Sequence, residues 1–182
     1  MDGVLRFVLR DIPQGESART VELAAADLDL LVADAEFVGP VRVEFSLVRV
    51  DEQVQFRGRA LLRVRQQCVR CLDPVECELQ VPIEAVARRR GVREADRLAA
   101  DGLILHDGEE IDLAGEVREL ILLGIPQTPV CREDCPGLCP QCGAQRSAGP
   151  CGCEKVEPVD PRWRGLQSLQ DAPKPRSKKR TK

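Results

Sequence analysis

The chain is predicted to fold as an α+β body, an antiparallel β-meander packed by one main amphipathic helix, followed by a cysteine-rich C-terminal segment. Three observations carry this expectation. Between Val41 and Glu84, apolar and polar residues alternate through three consecutive stretches, the mark of half-buried strands. From Asp112 to Gly124 the period becomes helical, with Leu113, Val117, Leu120 and Ile121 at i, i+4, i+7 and i+8. From Cys131 to Cys153 apolar periodicity disappears, and six of the nine cysteines crowd into a run of Pro and Gly.

Taken in order, Val4, Phe7, Val8 and Leu9 mark a short opening strand, and a Pro-Gly loop leads to an apolar segment, Val21 to Val32, whose secondary structure the pattern leaves open. Val41, Val43, Phe45 and Leu47 then alternate with Arg42, Glu44 and Ser46. Asp51-Glu52 turns the chain, and Val54, Phe56, Gly58, Ala60, Leu62 and Val64 alternate with Gln53, Gln55, Arg57, Arg59 and Arg63. After a turn from Cys68 to Pro74, Val75, Cys77, Leu79, Val81 and Ile83 alternate with Glu76, Glu78, Gln80 and Glu84. Short connections make these strands antiparallel neighbours with one dry face. Cys77 falls in the dry register and reads as a small core residue. Arg88 to Gly108 is charged and reads as a surface insertion with a short helix around Glu94 to Ala100. Asp112 is the expected N-cap of the main helix, and Gly124 and Pro126 end it. Asp160-Pro161 opens a short helix carrying Trp163, Leu166 and Leu169, and the tail from Ala172 is expected to be disordered. The expected organisation is an α+β body over 1–130, a cysteine-rich metal-binding segment over 131–156, a short helix over 157–171 and a basic tail over 172–182.

A chain of 182 residues with 43% hydrophobic residues can bury a real core. The opening MDGVLRFVLRDIPQG reads as neither a signal nor a transit peptide, and no apolar run approaches membrane-spanning length, so a cytoplasmic protein is expected. Net charge is −3, but the last ten residues carry six cations and no acid, which leaves −9 for the rest. An acidic body does not bind nucleic acid over its whole surface, so a polyanion contact falls to local patches or the tail. Aromatics are 3% with no Tyr, too few for a base-stacking platform.

Eight cysteines form four doublets, Cys68/Cys71, Cys131/Cys135, Cys139/Cys142 and Cys151/Cys153. In a reducing compartment such spacing indicates metal ligands in preference to disulfides. Two doublets complete the tetrahedral all-thiolate shell of a structural Zn2+, so two zinc ions are expected, and the C-terminal segment is zinc-ribbon-like. Chain geometry favours one pairing. Residues 143–150, GAQRSAGP, make a comfortable turn that joins Cys139, Cys142, Cys151 and Cys153 in a local site, whereas only Pro136, Gly137 and Leu138 separate Cys135 from Cys139. Cys68, Cys71, Cys131 and Cys135 then form a long-range site that ties the strand hairpin to the end of the helix.

Nothing in the chain singles out a catalytic group. His106, the one histidine, lies in a polar context beside Asp107-Gly108 and reads as an exposed turn residue; there is no Gly-rich phosphate loop and no nucleophile arrangement. An enzymatic role and a small-molecule substrate are therefore not expected. Arg57, Arg59, Arg63 and Arg65 share the outer face of the middle strand, with same-face neighbours about 6.8 Å apart, a spacing that follows phosphates. Glu44, Glu76, Glu78 and Glu84 on adjacent strands favour a paired, solvated face instead. The tail cluster Lys174, Arg176, Lys178, Lys179, Arg180 and Lys182 is the better RNA contact, and on composition a solubilising end carries equal weight.

CVRCL at 68–72, LLGIPQTPVC at 122–131, CPGLCPQCG at 135–143, CGC at 151–153 and DPRW at 160–163 together resemble the YceD family of bacterial and plastid proteins, over roughly residues 20 to 170. The resemblance implies a non-enzymatic role in 23S rRNA accumulation and large ribosomal subunit biogenesis, with a ribosomal RNA precursor or a large-subunit ribosomal protein as partner. The basic end from Pro173 lies outside it. The competing class is a thiol-based redox or metal-handling protein, which needs exposed cysteines of low pKa.

Overall fold

The computed structural model describes residues 5–90 and 102–153. Its strands are β1 (Arg6–Val8), β2 (Gly15–Leu23), β3 (Glu36–Phe37), β4 (Val41–Val50), β5 (Gln53–Gln67), β6 (Pro74–Arg89), β7 (Leu103–His106) and β8 (Glu110–Asp112), and its helix is α1 (Ala114–Gly124). The fold is α+β. One sheet has the order β2-β4-β5-β6-β7, with β3 also on β5, and a separate two-stranded ribbon pairs β1 with β8.

The expected meander is the centre of this sheet. β4, β5 and β6 pair antiparallel, with Val43 opposite Ala60 and Ala60 opposite Val81. Alternation delivers one dry face: Val43, Val54, Phe56, Ala60, Val64, Ile83 and Ala87 are fully buried. Cys77 is half-buried against this core. Phe7 packs on Phe45 and Phe56 at ring-centroid distances of 6.0 and 5.6 Å, which draws the β1–β8 ribbon over the sheet. Gly58 has a steric reason, because a Cβ there would lie 1.9 Å from the Glu44 carbonyl oxygen; only a residue with no side chain admits the β4 backbone so closely.

α1 turns Val117 and Ile121 inward, both fully buried, and packs on β6. A Cβ on Gly124 would lie 2.7 Å from a Val81 methyl, so the glycine that ends the helix also lets it sit close to the sheet. The N-cap is Leu113 and not the expected Asp112, whose carboxylate one position earlier accepts a hydrogen bond from the Ala114 N–H at 2.9 Å. Asp112 is also the last residue of β8 and pairs with Arg6 at 3.1 Å, so it serves strand and helix together.

Three sequence expectations change. Gly15–Leu23 is a nine-residue strand at the sheet edge, paired with β4 from Gly15↔Arg49 to Leu23↔Val41. Only Leu23 is buried in it, so an edge strand wet on both faces left no alternation to read. The presumed insertion contributes β7, which runs parallel to β6 with Val86 opposite Leu103. His106 is not an exposed turn residue. It is 3% exposed, with Nε2 2.8 Å from the Glu52 carbonyl and Nδ1 accepting from the Gly108 N–H at 3.0 Å. That geometry puts the ring proton on Nε2, and the imidazole joins the β4–β5 turn to β7. The expected helices around Glu94–Ala100 and over 157–171, and the disordered tail over 172–182, lie outside the described residues.

The chain divides into two compact units, Met1–Leu138 and Cys139–Lys182. Cys131 and Cys135 fall in the first, with Cys68 and Cys71. The described part of the second, Cys139–Cys153, consists of turns around its own four cysteines.

Candidate metal centres

Each four-cysteine group begins with a turn of the same design. In the first unit, the Cys68 N–H donates to the Asp73 carbonyl at 2.8 Å and the Leu72 N–H donates to the Cys68 carbonyl at 2.9 Å. In the second, the Cys139 N–H donates to the Ala144 carbonyl at 2.8 Å and the Gly143 N–H to the Cys139 carbonyl at 2.9 Å. The residue after the second cysteine is left-handed in both turns, φ +64 at Leu72 and +70 at Gly143. This closure aims two Sγ atoms and several backbone N–H groups toward one point.

The long-range group is completed by the chain that follows α1. The Val69 N–H donates to the Pro129 carbonyl at 2.9 Å, and the Leu138 N–H donates to the Arg70 carbonyl at 3.1 Å. The Arg70 guanidinium donates to the carbonyls of Glu133 at 2.8 Å and Cys135 at 3.1 Å. Gly137, at φ +69, is required here because a Cβ would lie 2.9 Å from the Arg70 carbonyl oxygen. The sequence presents Arg70 only as a charge beside thiols; its role as a clamp depends on carbonyls more than sixty positions away.

The eight doublet cysteines gather into two groups, Cys68, Cys71, Cys131, Cys135 and Cys139, Cys142, Cys151, Cys153, with the sulfurs of each group within 4.8 Å of one another. Cys68 and Cys135 stand 3.9 Å apart, and Cys71 and Cys131 stand 3.7 Å apart. A tetrahedron of thiolates with metal–sulfur bonds of about 2.3 Å has sulfur–sulfur edges of about 3.8 Å. A disulfide at about 2.05 Å is far shorter. The geometry can therefore hold a metal ion in each group.

Electrostatics point the same way. Backbone N–H groups of Cys71, Cys131 and Arg70 favour the Cys68 thiolate and pull its pKa down to about 6 despite burial. The Asp73 N–H favours the Cys71 thiolate, but burial and the neighbouring thiols outweigh it and push Cys71 up to about 12. Cys131 is raised by Cys135 and by burial. The second group repeats the division: the N–H groups of Cys142 and Gln141 pull Cys139 down to about 6, whereas Cys142, burial and Cys151 push Cys153 up to about 12. One thiolate per group, Cys68 or Cys139, is stabilised by the backbone, and Cys71, Cys131 and Cys153 resist ionising beside it. A divalent cation held by the four sulfurs would supply the missing positive charge.

Half of the arginine stripe is paired. Arg59 meets Glu44 at 3.0 Å, and Arg65 meets Glu76 at 2.7 Å and Glu36 at 3.1 Å. The Arg65 guanidinium holds the Glu76 carboxyl below the usual carboxylate range. Arg57 and Arg63 stand opposite Glu84 and Glu78 in register without forming an ion pair among the described residues. The cationic candidates Lys174, Arg176, Lys178, Lys179, Arg180 and Lys182 lie outside the described residues.

Proteins described as uncharacterized from Mycobacterium tuberculosis (strain ATCC 25618 / H37Rv) and Mycobacterium bovis are each 32% identical over 163 residues, 90% of this chain and 73% of theirs. One from Mycobacterium leprae is 30% identical over 152 residues, 81% of this chain and 66% of its own. No solved structure matches the chain. The family described as large ribosomal RNA subunit accumulation protein YceD matches residues 56–170, a span that takes in all eight clustered cysteines and more than half of the chain, and this chain belongs to the YceD family.

Proposed function

We propose that the protein is a non-enzymatic, zinc-stabilised cytoplasmic factor that supports 23S rRNA accumulation and large ribosomal subunit biogenesis, through contact with a ribosomal RNA precursor or a large-subunit ribosomal protein. The observation that carries this reading is the pair of all-cysteine groups at tetrahedral spacing in a member of a family whose name refers to large ribosomal RNA accumulation. Zinc is the natural occupant of four thiolates, because it needs no redox chemistry and accepts tetrahedral sulfur. With four protein ligands the shell is closed, so each ion holds the chain together and leaves no coordination position for a substrate. Among the described residues no helix is long and apolar enough to cross a membrane.

The low pKa of Cys68 and Cys139 is the feature that favours a thiol-redox reading. Against it, each of these thiols faces three other cysteines at ligand distance, and Cys68 is fully buried, whereas a redox sensor exposes its thiolate. Two experiments decide. A deletion strain is expected to lose 23S rRNA and large subunits, measured by RNA blot and gradient sedimentation, and unchanged levels refute the functional reading. In the zinc-loaded protein, eight thiols are expected to resist alkylation; rapid labelling of either group refutes the structural role of the metal.

A further inference from the structure

Beside the first cysteine group lies a cavity of about 820 Å³ that the metal reading does not use. Its walls come from the Val32–Glu36 segment, the end of β5, the Cys68 turn and the chain after α1. Three features distinguish it from an ordinary surface depression. Val32, Val69 and Leu72 line it and are 36%, 51% and 56% exposed. Leu72 holds a left-handed φ of +64, where the equivalent turn position in the second group is Gly143. A bulky residue in that conformation is strained by about 1–2 kcal/mol, and no burial compensates it here. Finally, Gln66 lines the cavity and is nine-tenths buried, its Nε2 donates to the Pro126 carbonyl at 3.2 Å, and its Oε1 has no donor. That oxygen is closed to solvent, so a ligand N–H repairs the defect only once the Gln66 amide turns toward the cavity.

The rim selects the charge of the occupant. Arg65 is held by Glu36 and Glu76, and Asp34 adds one further carboxylate, so three carboxylates stand against one guanidinium. A cleft with this excess of carboxylates repels phosphate backbone and attracts cationic chain. We propose that this cavity is a docking groove for an extended, basic segment of a partner protein, which sets an apolar side chain against Val69 and Leu72 and an N–H donor on Gln66. The inference deepens the functional reading, on which it rests for its cellular setting, by naming protein as what this face contacts.

The test places a photo-crosslinking benzophenone amino acid at Val69 in the full-length chain in its native host, with Val50, 64% exposed at the end of β4, as the control position. The expected product is an adduct to a protein segment of net positive charge with a large apolar residue, absent from the control. A synthetic peptide of that segment is then expected to bind the purified zinc-loaded protein, and Leu72→Gly to weaken it about tenfold. The same substitution removes the left-handed strain and is expected to raise the melting temperature, which separates lost docking from lost folding. Adducts to RNA, adducts to acidic segments, no adduct above the control, or equal peptide affinity after Leu72→Gly each overturn the proposal. Loss of 23S rRNA on deletion alongside any of these leaves the functional reading standing while the groove fails. A positively charged protein adduct with unchanged 23S rRNA leaves the groove standing while that reading fails.

Discussion

Replacing Cys68 by serine removes one sulfur from the long-range group, and its cost follows from the loop that group closes. Cys71 and Cys131 are 60 positions apart; in the chain-entropy account, pinning such a loop stabilises by about 4 kcal/mol. Cys142 and Cys151, nine positions apart, pin a loop worth about 2.5 kcal/mol in the same account. The long-range group also fastens the end of the β5–β6 hairpin to the chain leaving α1, so the loss is felt throughout the first unit. A deficit of about 4 kcal/mol in a unit of this size lowers the melting temperature by roughly 10–15 °C. Cys151→Ser acts on the second unit and is expected to leave the strand signal of the first nearly unchanged. Metal content by mass spectrometry is expected to fall from two ions to one in each variant, and thermal melts followed by circular dichroism separate the two. A Cys68→Ser protein that retains two ions, or that melts together with Cys151→Ser, refutes the reasoning.

Thiolate absorbance of the metal-free protein is expected to rise in separated steps, Cys68 and Cys139 near pH 6 and Cys71 and Cys153 near pH 12. Cys68 and Cys139 lie below the ordinary thiol value of 9.0, so their contribution to stability is present above pH 9 and is lost as pH falls through about 6. Cys71 and Cys153 lie above it, and theirs is present below pH 9 and is lost as pH rises toward 12; a single step near pH 9 in the absorbance titration contradicts this division. Gly58→Ala is expected to destabilise by roughly 2 kcal/mol or more, since the new Cβ meets a backbone oxygen that cannot turn aside; a denaturant midpoint equal to that of the parent refutes the close approach. His106→Ala leaves the Glu52 carbonyl and the Gly108 N–H without their partner and is expected to cost about 1–3 kcal/mol. Complementation of 23S rRNA per folded molecule is expected to stay intact in that variant, and its loss at full stability would restore a functional role to the histidine.

Features that local chemistry dictates were legible along the chain. Period-two alternation from Val41 to Glu84 made the meander, because any other register would wet Val43, Phe56 and Ile83. The helical period and Gly124 set α1, and the spacing of the doublets, with the turn length between Cys142 and Cys151, was enough to sort eight cysteines into two fours. The other features depend on contacts between distant segments. β2 became a strand because β4 offered it an edge, with little burial to write a pattern. His106 looked exposed because its neighbours are polar, and the Glu52 carbonyl that buries it lies 54 positions away. Arg70 became a clamp only when the chain after α1 brought the carbonyls of Glu133 and Cys135 to it, and Leu72 took a left-handed φ because it closes a turn around Cys68 and Cys71. Period and spacing are properties of neighbours along the chain, whereas an orphaned acceptor, a clamped carbonyl or a strained leucine exists only once distant backbone has arrived to create it.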